Sequence, residues 1–210
     1  MRLHTENDPA PNPRRVRLFL AEKGLSIPEV RVPLREGAHK APDFLAKNPA
    51  GQVPALELDD GQVIAETVSI CRYLETLHPE PALFGRTALQ QALVDQWIRR
   101  VEFQLMTPVA MFWRHAHPLT ARLLTQYKDF GESNRESVRR SALWFDRQLA
   151  DGRPWLAGEA FSMADIVLLT TLDFASWIGL PAPDDAEALA AWRGRVNERP
   201  ALQSLAAAAA

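Results

Sequence analysis

The residues with the clearest chemical meaning run Asn48-Pro49-Ala50-Gly51-Gln52-Val53-Pro54-Ala55-Leu56 and, after an Asp59-Asp60-Gly61 turn, Glu66-Thr67. A proline directly before a strand is a candidate for a cis bond, which would turn the Val53 N–H and C=O outward instead of into a sheet. Those two groups can pair with an extended peptide backbone. Glu66 and Thr67 close one element and open a helix, so a carboxylate stands beside free backbone N–H groups and a hydroxyl. That set suits a free amino-acid head group: Glu66 takes the ammonium, and the helix N-terminus with Thr67 takes the carboxylate. A hairpin followed by an ordinary Thr N-cap is the competing reading of the same residues.

The elements that must position these groups alternate in type up to about residue 78. Strands are expected near Arg2 to Thr5, over Glu29 to Leu34, and as a hairpin from Val53 to Leu58 and Gln62 to Ala65. Helices are expected from Pro13 to Lys23, around Asp43 to Lys47 and from Thr67 to Leu77. This βαβαββα order is that of an α/β thioredoxin-like fold. Two prolines in His78-Pro79-Glu80-Pro81 stop the last helix. The sequence is therefore divided into residues 1–78, a linker 79–86 and an all-helical bundle 87–210.

In the second part Leu89, Leu93, Trp97, Val101, Leu105, Val109 and Trp113 recur every four residues, an apolar ridge along one long helix that Pro108 should kink. A second helix is expected near Glu132 to Leu149. The stretch Met163 to Ile178 is apolar nearly all round, as a helix at the centre of a bundle would be. Ser162 as N-cap with Asp165 at N3 forms a capping box, and Phe161 can staple to Ile166. Asp165 is thus read as a folding residue rather than a catalytic carboxylate.

Composition narrows the function classes. The chain has 210 residues and a formal net charge of −2, with both signs interspersed, so no basic stripe points to nucleic acid and no polybasic patch to a membrane surface. No apolar run approaches a membrane span, and the start of the chain lacks the apolar core of a signal peptide; a soluble, cytoplasmic protein is expected. A single cysteine, Cys71, excludes an internal disulfide and a CxxC redox pair. It is read as a packed core thiol.

Taken with Val53-Pro54 and Glu66-Thr67, the stretches Pro11-Asn12-Pro13-Arg14-Arg15-Val16-Arg17-Leu18-Phe19-Leu20-Ala21-Glu22-Lys23-Gly24 and Phe161-Ser162-Met163-Ala164-Asp165-Ile166 resemble the first helix and the C-terminal capping motif of the cytosolic glutathione transferases. The resemblance covers nearly the whole chain. It implies glutathione as co-substrate, no metal, a homodimer, and detoxification of a small apolar or aromatic electrophile. His39, Lys40, Gln52, Val53, Pro54, Glu66 and Thr67 are then the glutathione contacts, with His39 and Lys40 near the glycine carboxylate; the other reading of these two is a pair of solvated loop residues. Phe112 and Trp113 would line the electrophile pocket.

Many relatives stabilise the glutathione thiolate with a Tyr, Ser or Cys after the first strand. None stands there in this chain, and Asn7 falls about where some place the hydroxyl. In this loop and in Phe44-Leu45-Ala46-Lys47-Asn48 the sequence is most similar to a fungal and bacterial subgroup that also lacks that residue. Two catalytic candidates follow. Asn12 is expected to cap the first helix with Pro13 at N1, aiming the N–H groups of Arg14 and Arg15 at the thiolate; the plain-cap reading stands beside it. His115 ends the long helix, where the subgroup holds a water with a serine and a histidine. Ala110 occupies the serine position here, and Arg114 aligns with the histidine, next to His115. A surface or packing role is the alternative for His115. The function expected is conjugation of glutathione to an electrophile, or its use against a peroxide. The alternative is a glutathione-binding or scaffold protein without efficient thiolate activation.

Overall fold

Short strands and helices alternate through the first third of the chain in the computed structural model, which describes residues 1–6 and 10–209. They are β1 (Arg2–Thr5), α1 (Pro11–Lys23), β2 (Glu29–Arg31), α2 (Pro42–Lys47), β3 (Ala55–Glu57), β4 (Val63–Ala65) and α3 (Thr67–Leu77). The sheet order is β2-β1-β3-β4, with β1 and β2 parallel and the other two pairs antiparallel. This is the βαβαββα order expected. β2 is shorter than predicted and its Val30 is exposed. Pro33, which lacks a backbone N–H, follows closely and helps to end the ladder.

Leu3, Val16, Phe19, Leu56, Ile70, Cys71 and Leu74 are fully buried in this unit. Val32, Phe44, Val53 and Ala55 form a further cluster, with Leu34, Ala38 and Val63 packed against it. By contact the unit comprises Met1–Ala82 together with the stretch from Pro200, where α9 (Pro200–Ala209) lies along α1. The sequence reading had grouped that last helix with the bundle.

The second unit, Leu83–Arg199, is helical: α4 (Ala88–Arg100), α5 (Thr107–His115), α6 (Lys128–Leu149), α7 (Met163–Trp177) and α8 (Glu187–Asn197). α4 and α5 are joined by a π-helical segment, Val101–Met106. Pro108 explains part of this irregularity. It has no N–H for the carbonyl four residues back, Gln104, and that carbonyl accepts instead from the Ser141 hydroxyl of α6 at 2.5 Å. Thr107 N–H reaches back five residues to the Glu102 carbonyl, which the Thr107 hydroxyl also meets at 3.0 Å. The ridge predicted along this helix is buried at Trp97, Val101, Leu105 and Val109. Its first member is not, since Leu89 is exposed. A spacing of four overshoots a 3.6-residue turn by about 40° per step, so one end of such a ridge drifts off the buried face.

α7 is buried on nearly every side, as its composition required. Its start carries the predicted capping box, and Asp165 goes further. Its Oδ2 accepts from the Ser162 N–H and hydroxyl, both at 3.0 Å, while its Oδ1 accepts from Leu156 N–H at 2.8 Å and Trp192 Nε1 at 2.9 Å. One carboxylate thereby ties the helix start to the preceding loop and to α8. Burial pushes this carboxyl up, and its four donors pull the other way.

Candidate functional site

The Val53–Pro54 peptide bond is cis. The β3 ladder begins at Ala55, paired with His4 on one side and Ala65 on the other, so strand pairing leaves the Val53 N–H and C=O out. The Val53 side chain is buried in the core while Gln52 is exposed. Asn48, itself buried, organises the approach: its side-chain amide donates to the Gln52 carbonyl at 2.8 Å, and its own carbonyl accepts from Gly51 N–H at 2.8 Å. Gly51 has φ 57°, and a Cβ there would come within 2.8 Å of both the His39 carbonyl and Lys40 Nζ. Only glycine suits that combination of turn and close approach.

Lys40 Nζ donates to the Ala50 and Gly51 carbonyls at 3.4 and 3.3 Å, so the 3-10 turn Ala38–Lys40 lies against the same loop. His39 Nδ1 is buried with no hydrogen-bond partner among the described residues. Burial, and then the neighbouring Lys40 charge, hold the His39 ring below its ordinary pKa, which keeps it neutral near pH 7.

Glu66 occupies the N-cap position of α3 with φ 65°, the sole non-glycine residue with positive φ among the described residues. A left-handed conformation is costly for a side chain with a Cβ and is concentrated at functional sites. Its carboxylate makes no capping bond and the residue is exposed. Thr67 is buried as the first helical residue rather than the N-cap, so the ordinary Thr-cap reading does not describe this turn. The first helical bond is Ile70 N–H to the Glu66 carbonyl at 2.9 Å, which leaves the amides before it outside the helical ladder. A carboxylate, open amides and a hydroxyl are therefore grouped at the start of α3.

The Asn12 expectation needs correction. α1 begins at Pro11 after an Ala10 N-cap, so Asn12 is the second helical residue and not the cap. Proline is tolerated throughout the first turn, where helical pairing makes no use of the N–H groups. Pro11 therefore starts the helix two residues earlier than an Asn-Pro cap would. Arg14 and Arg15 fall at the fourth and fifth positions, inside the ladder, and Asn12 holds the only N–H among the first three. Asn7 lies outside the described residues. His4 and Thr5 are buried, the Thr5 hydroxyl without a hydrogen-bond partner among the described residues, and Glu6 accepts from Arg31 Nε and Leu34 N–H, each at 2.9 Å.

In the second unit, residues 112, 113 and 115 do not form one group. Trp113 joins His117, Phe174 and Trp177, with ring centroids 4.7, 5.4 and 5.7 Å away. Phe112 is buried, with His117 6.5 Å away and the Arg135 guanidinium over its ring at 4.8 Å. His115 instead lies between Tyr127 and Phe130 at 5.6 and 5.4 Å, and its Nδ1 is buried without a partner among the described residues. Adjacent positions on a helix point about 100° apart, which is why two residues separate these side chains. Phe174 and Trp177 were not singled out from the sequence. Trp177 and Phe174 are a helical i, i+3 pair, a local signal that carries no hint of the partner helix. Among the described residues no group of three or more His, Cys, Asp or Glu could hold a metal ion, and no helix is long and apolar enough to cross a membrane.

Both halves of this architecture have counterparts. The family model for the glutathione S-transferase N-terminal domain matches residues 10–77, and that for the C-terminal domain matches residues 105–200. The chain belongs to the glutathione S-transferase family, and it is an enzyme of that class. It is 42% identical over 199 residues to glutathione S-transferase 2 of Saccharomyces cerevisiae, covering 93% of this chain and 85% of the relative. The crystal structure of Gtt2 from the same yeast superposes with a TM-score of 0.89 at 39% identity, over 98% of this chain and 100% of that one. A Gtt2-class transferase of Vibrio parahaemolyticus gives 0.84 at 32% identity, over 97% and 96%. These likenesses agree with the fungal and bacterial subgroup indicated by the sequence.

Proposed function

We propose that the protein conjugates glutathione to a small apolar or aromatic electrophile, or uses it to reduce a peroxide, and that Gln52, Val53, Pro54, Glu66, Thr67, His39 and Lys40 bind the tripeptide. The observation that supports this most is the pairing of a strand-free Val53 backbone with an exposed Glu66 carboxylate in strained conformation. In this reading Val53 pairs with the cysteinyl backbone, Glu66 takes the γ-glutamyl ammonium, and the open amides of α3 with Thr67 take its carboxylate. Lys40 and His39 face the glycine end, where Lys40 supplies the positive charge and neutral His39 a hydrogen bond. Trp113, which is only part-buried, supplies apolar surface for the electrophile.

Thiolate activation then contributes modestly. A thiol of pKa about 8.5 is roughly 3% ionised at pH 7, and lowering it by two units requires about 2.7 kcal/mol of stabilisation and gives about twenty-five times more thiolate. Lower basicity returns roughly eightfold of that at a Brønsted slope of about 0.45. Holding thiolate and electrophile together supplies the rest. A helix N-terminal amide such as that of Asn12, or His115, can serve for the ionisation.

A second reading, a binding protein without efficient activation, is favoured by one observation: Thr5, the only hydroxyl residue between Leu3 and Arg14, is buried to 1% exposure. Calorimetry on Glu66→Ala tests the binding reading. Affinity for glutathione should fall by about 1.5 kcal/mol or more, the worth of a charge-assisted bond. Unchanged affinity removes Glu66 from the site.

A further inference from the structure

The Glu57 carboxylate at the end of β3 is nearly buried, yet it gathers three basic groups. Its Oε1 accepts from Lys47 Nζ at 2.9 Å, with Arg2 at 3.4 Å, and its Oε2 meets His4 Nε2 at 2.6 Å. His4 pairs with Ala55 in the ladder and Arg2 with Glu57 itself, so Arg2, His4 and Glu57 share one face of the sheet. α2 lies over that face, with Phe44 placing its ring edge-on to His4 at 6.0 Å and Lys47, one turn on, reaching the carboxylate.

The position of this cluster in the chain gives it a further meaning. Lys47 is the last residue of α2 and Glu57 the last of β3, and between them runs the segment 48–54 that presents Gln52 and Val53. The ion pair closes the base of that segment as a bracket, while Asn48 ties its interior through the Gln52 and Gly51 contacts. A buried carboxylate needs good partners to be tolerated, and an apolar pair could join helix to sheet without that demand. What a charge-assisted bond adds is direction.

We propose that Glu57, acting through Lys47, is a positioning residue for glutathione: it holds the 48–54 segment in the conformation that offers the Val53 backbone to the tripeptide. The inference rests on the proposal that this segment binds glutathione. A segment ordered before binding loses less conformational freedom when ligand arrives, so the bracket acts on affinity and leaves the chemical step alone.

The test measures glutathione affinity by calorimetry and the KM and kcat of conjugation for three variants. Lys47→Met opens the bracket but spares the His4–Glu57 pair, and its site is partly exposed, so the fold is kept. Its KM for glutathione should rise about tenfold, the order of one charge-assisted bond, with kcat at saturating glutathione unchanged. Glu57→Gln should do the same or more. Arg2→Met, which removes a charge beside Glu57 without touching the bracket, should leave KM at the wild-type value. The proposal is overturned if Lys47→Met keeps wild-type affinity, if it lowers kcat at constant KM, or if Arg2→Met weakens binding equally. Absence of glutathione binding by the wild type would overturn the underlying reading and this inference with it, an outcome distinct from a wild type that binds and variants that match it.

Discussion

Replacing Asp165 by Asn removes one acceptor oxygen and the charge from a site where four donors converge. The carboxylate accepts from Leu156 N–H, Trp192 Nε1, Ser162 N–H and the Ser162 hydroxyl, all at 2.8 to 3.0 Å. An amide of the same shape can face its oxygen to only one pair and must turn its NH2 toward the other. If the oxygen serves Leu156 and Trp192, the Ser162 hydroxyl can rotate to accept, but the Ser162 N–H is stranded at a cost of about 1–3 kcal/mol. The two bonds that remain change from charge-assisted to neutral and lose up to about 1 kcal/mol each. Release of a buried charge from desolvation offsets part of this, since burial is the larger influence on the Asp165 carboxyl. The net expectation is a loss of about 2–4 kcal/mol. Urea unfolding followed both by tryptophan fluorescence and by helical circular dichroism measures it, and agreement of the two probes checks that one transition is being read. A loss below about 1 kcal/mol, or a gain, would show that relief of the buried charge cancels the lost hydrogen bonds and would refute the reasoning.

The Glu57 carboxyl is pushed down from 4.5 to about 2, first by the Lys47 bond and then by His4. A folded-state value below the unfolded one gives stability that is present above pH 4.5 and lost as pH falls through 2. The unfolding midpoint should therefore fall over that window, and Glu57→Gln should flatten this part of the profile. His115→Ala should lower turnover without altering glutathione affinity; full activity in steady-state kinetics would leave the helix N-terminus as the better account of the thiolate. Gly131→Ala would ordinarily favour a helix by about 1 kcal/mol, but here the added Cβ meets Ala116 N and the His115 carbonyl carbon at 2.7 Å. The variant should melt at a lower temperature, and an unchanged or higher midpoint would contradict the close approach of α6 to the end of α5.

What was legible in the sequence was local. The Ser162–Asp165 box, the all-round burial of α7 and the element order of the first unit each follow from spacings within a turn or two. The partners that make Asp165 consequential, Leu156 and Trp192, come from outside that turn, and no spacing points to them. Buried charges were missed for a different reason. Lys23 lies with its side chain sealed from solvent, donating to the His78 carbonyl at 2.8 Å and to that of Pro81 and pairing with Glu75. Charged residues are so seldom buried that sequence alone argues for exposure. His4 and Glu57 belong to the same class. Asn12 misled because Asn-Pro is a strong start signal, and Pro11, two residues earlier, is an equally good one. His115 and Trp113 looked like neighbours because they are close in sequence, while the helix turns them to different partners.

The central claim is that this chain binds glutathione and lowers its thiol pKa without a Tyr, Ser or Cys after β1. The most direct test is a pH titration of the ultraviolet thiolate absorbance of glutathione held on the protein, with the bound fraction fixed by calorimetry. The account predicts saturable binding and a thiol pKa well below the free value of about 8.5. Binding with the pKa unmoved would contradict activation and favour a carrier of the same fold, and no binding would contradict the site itself.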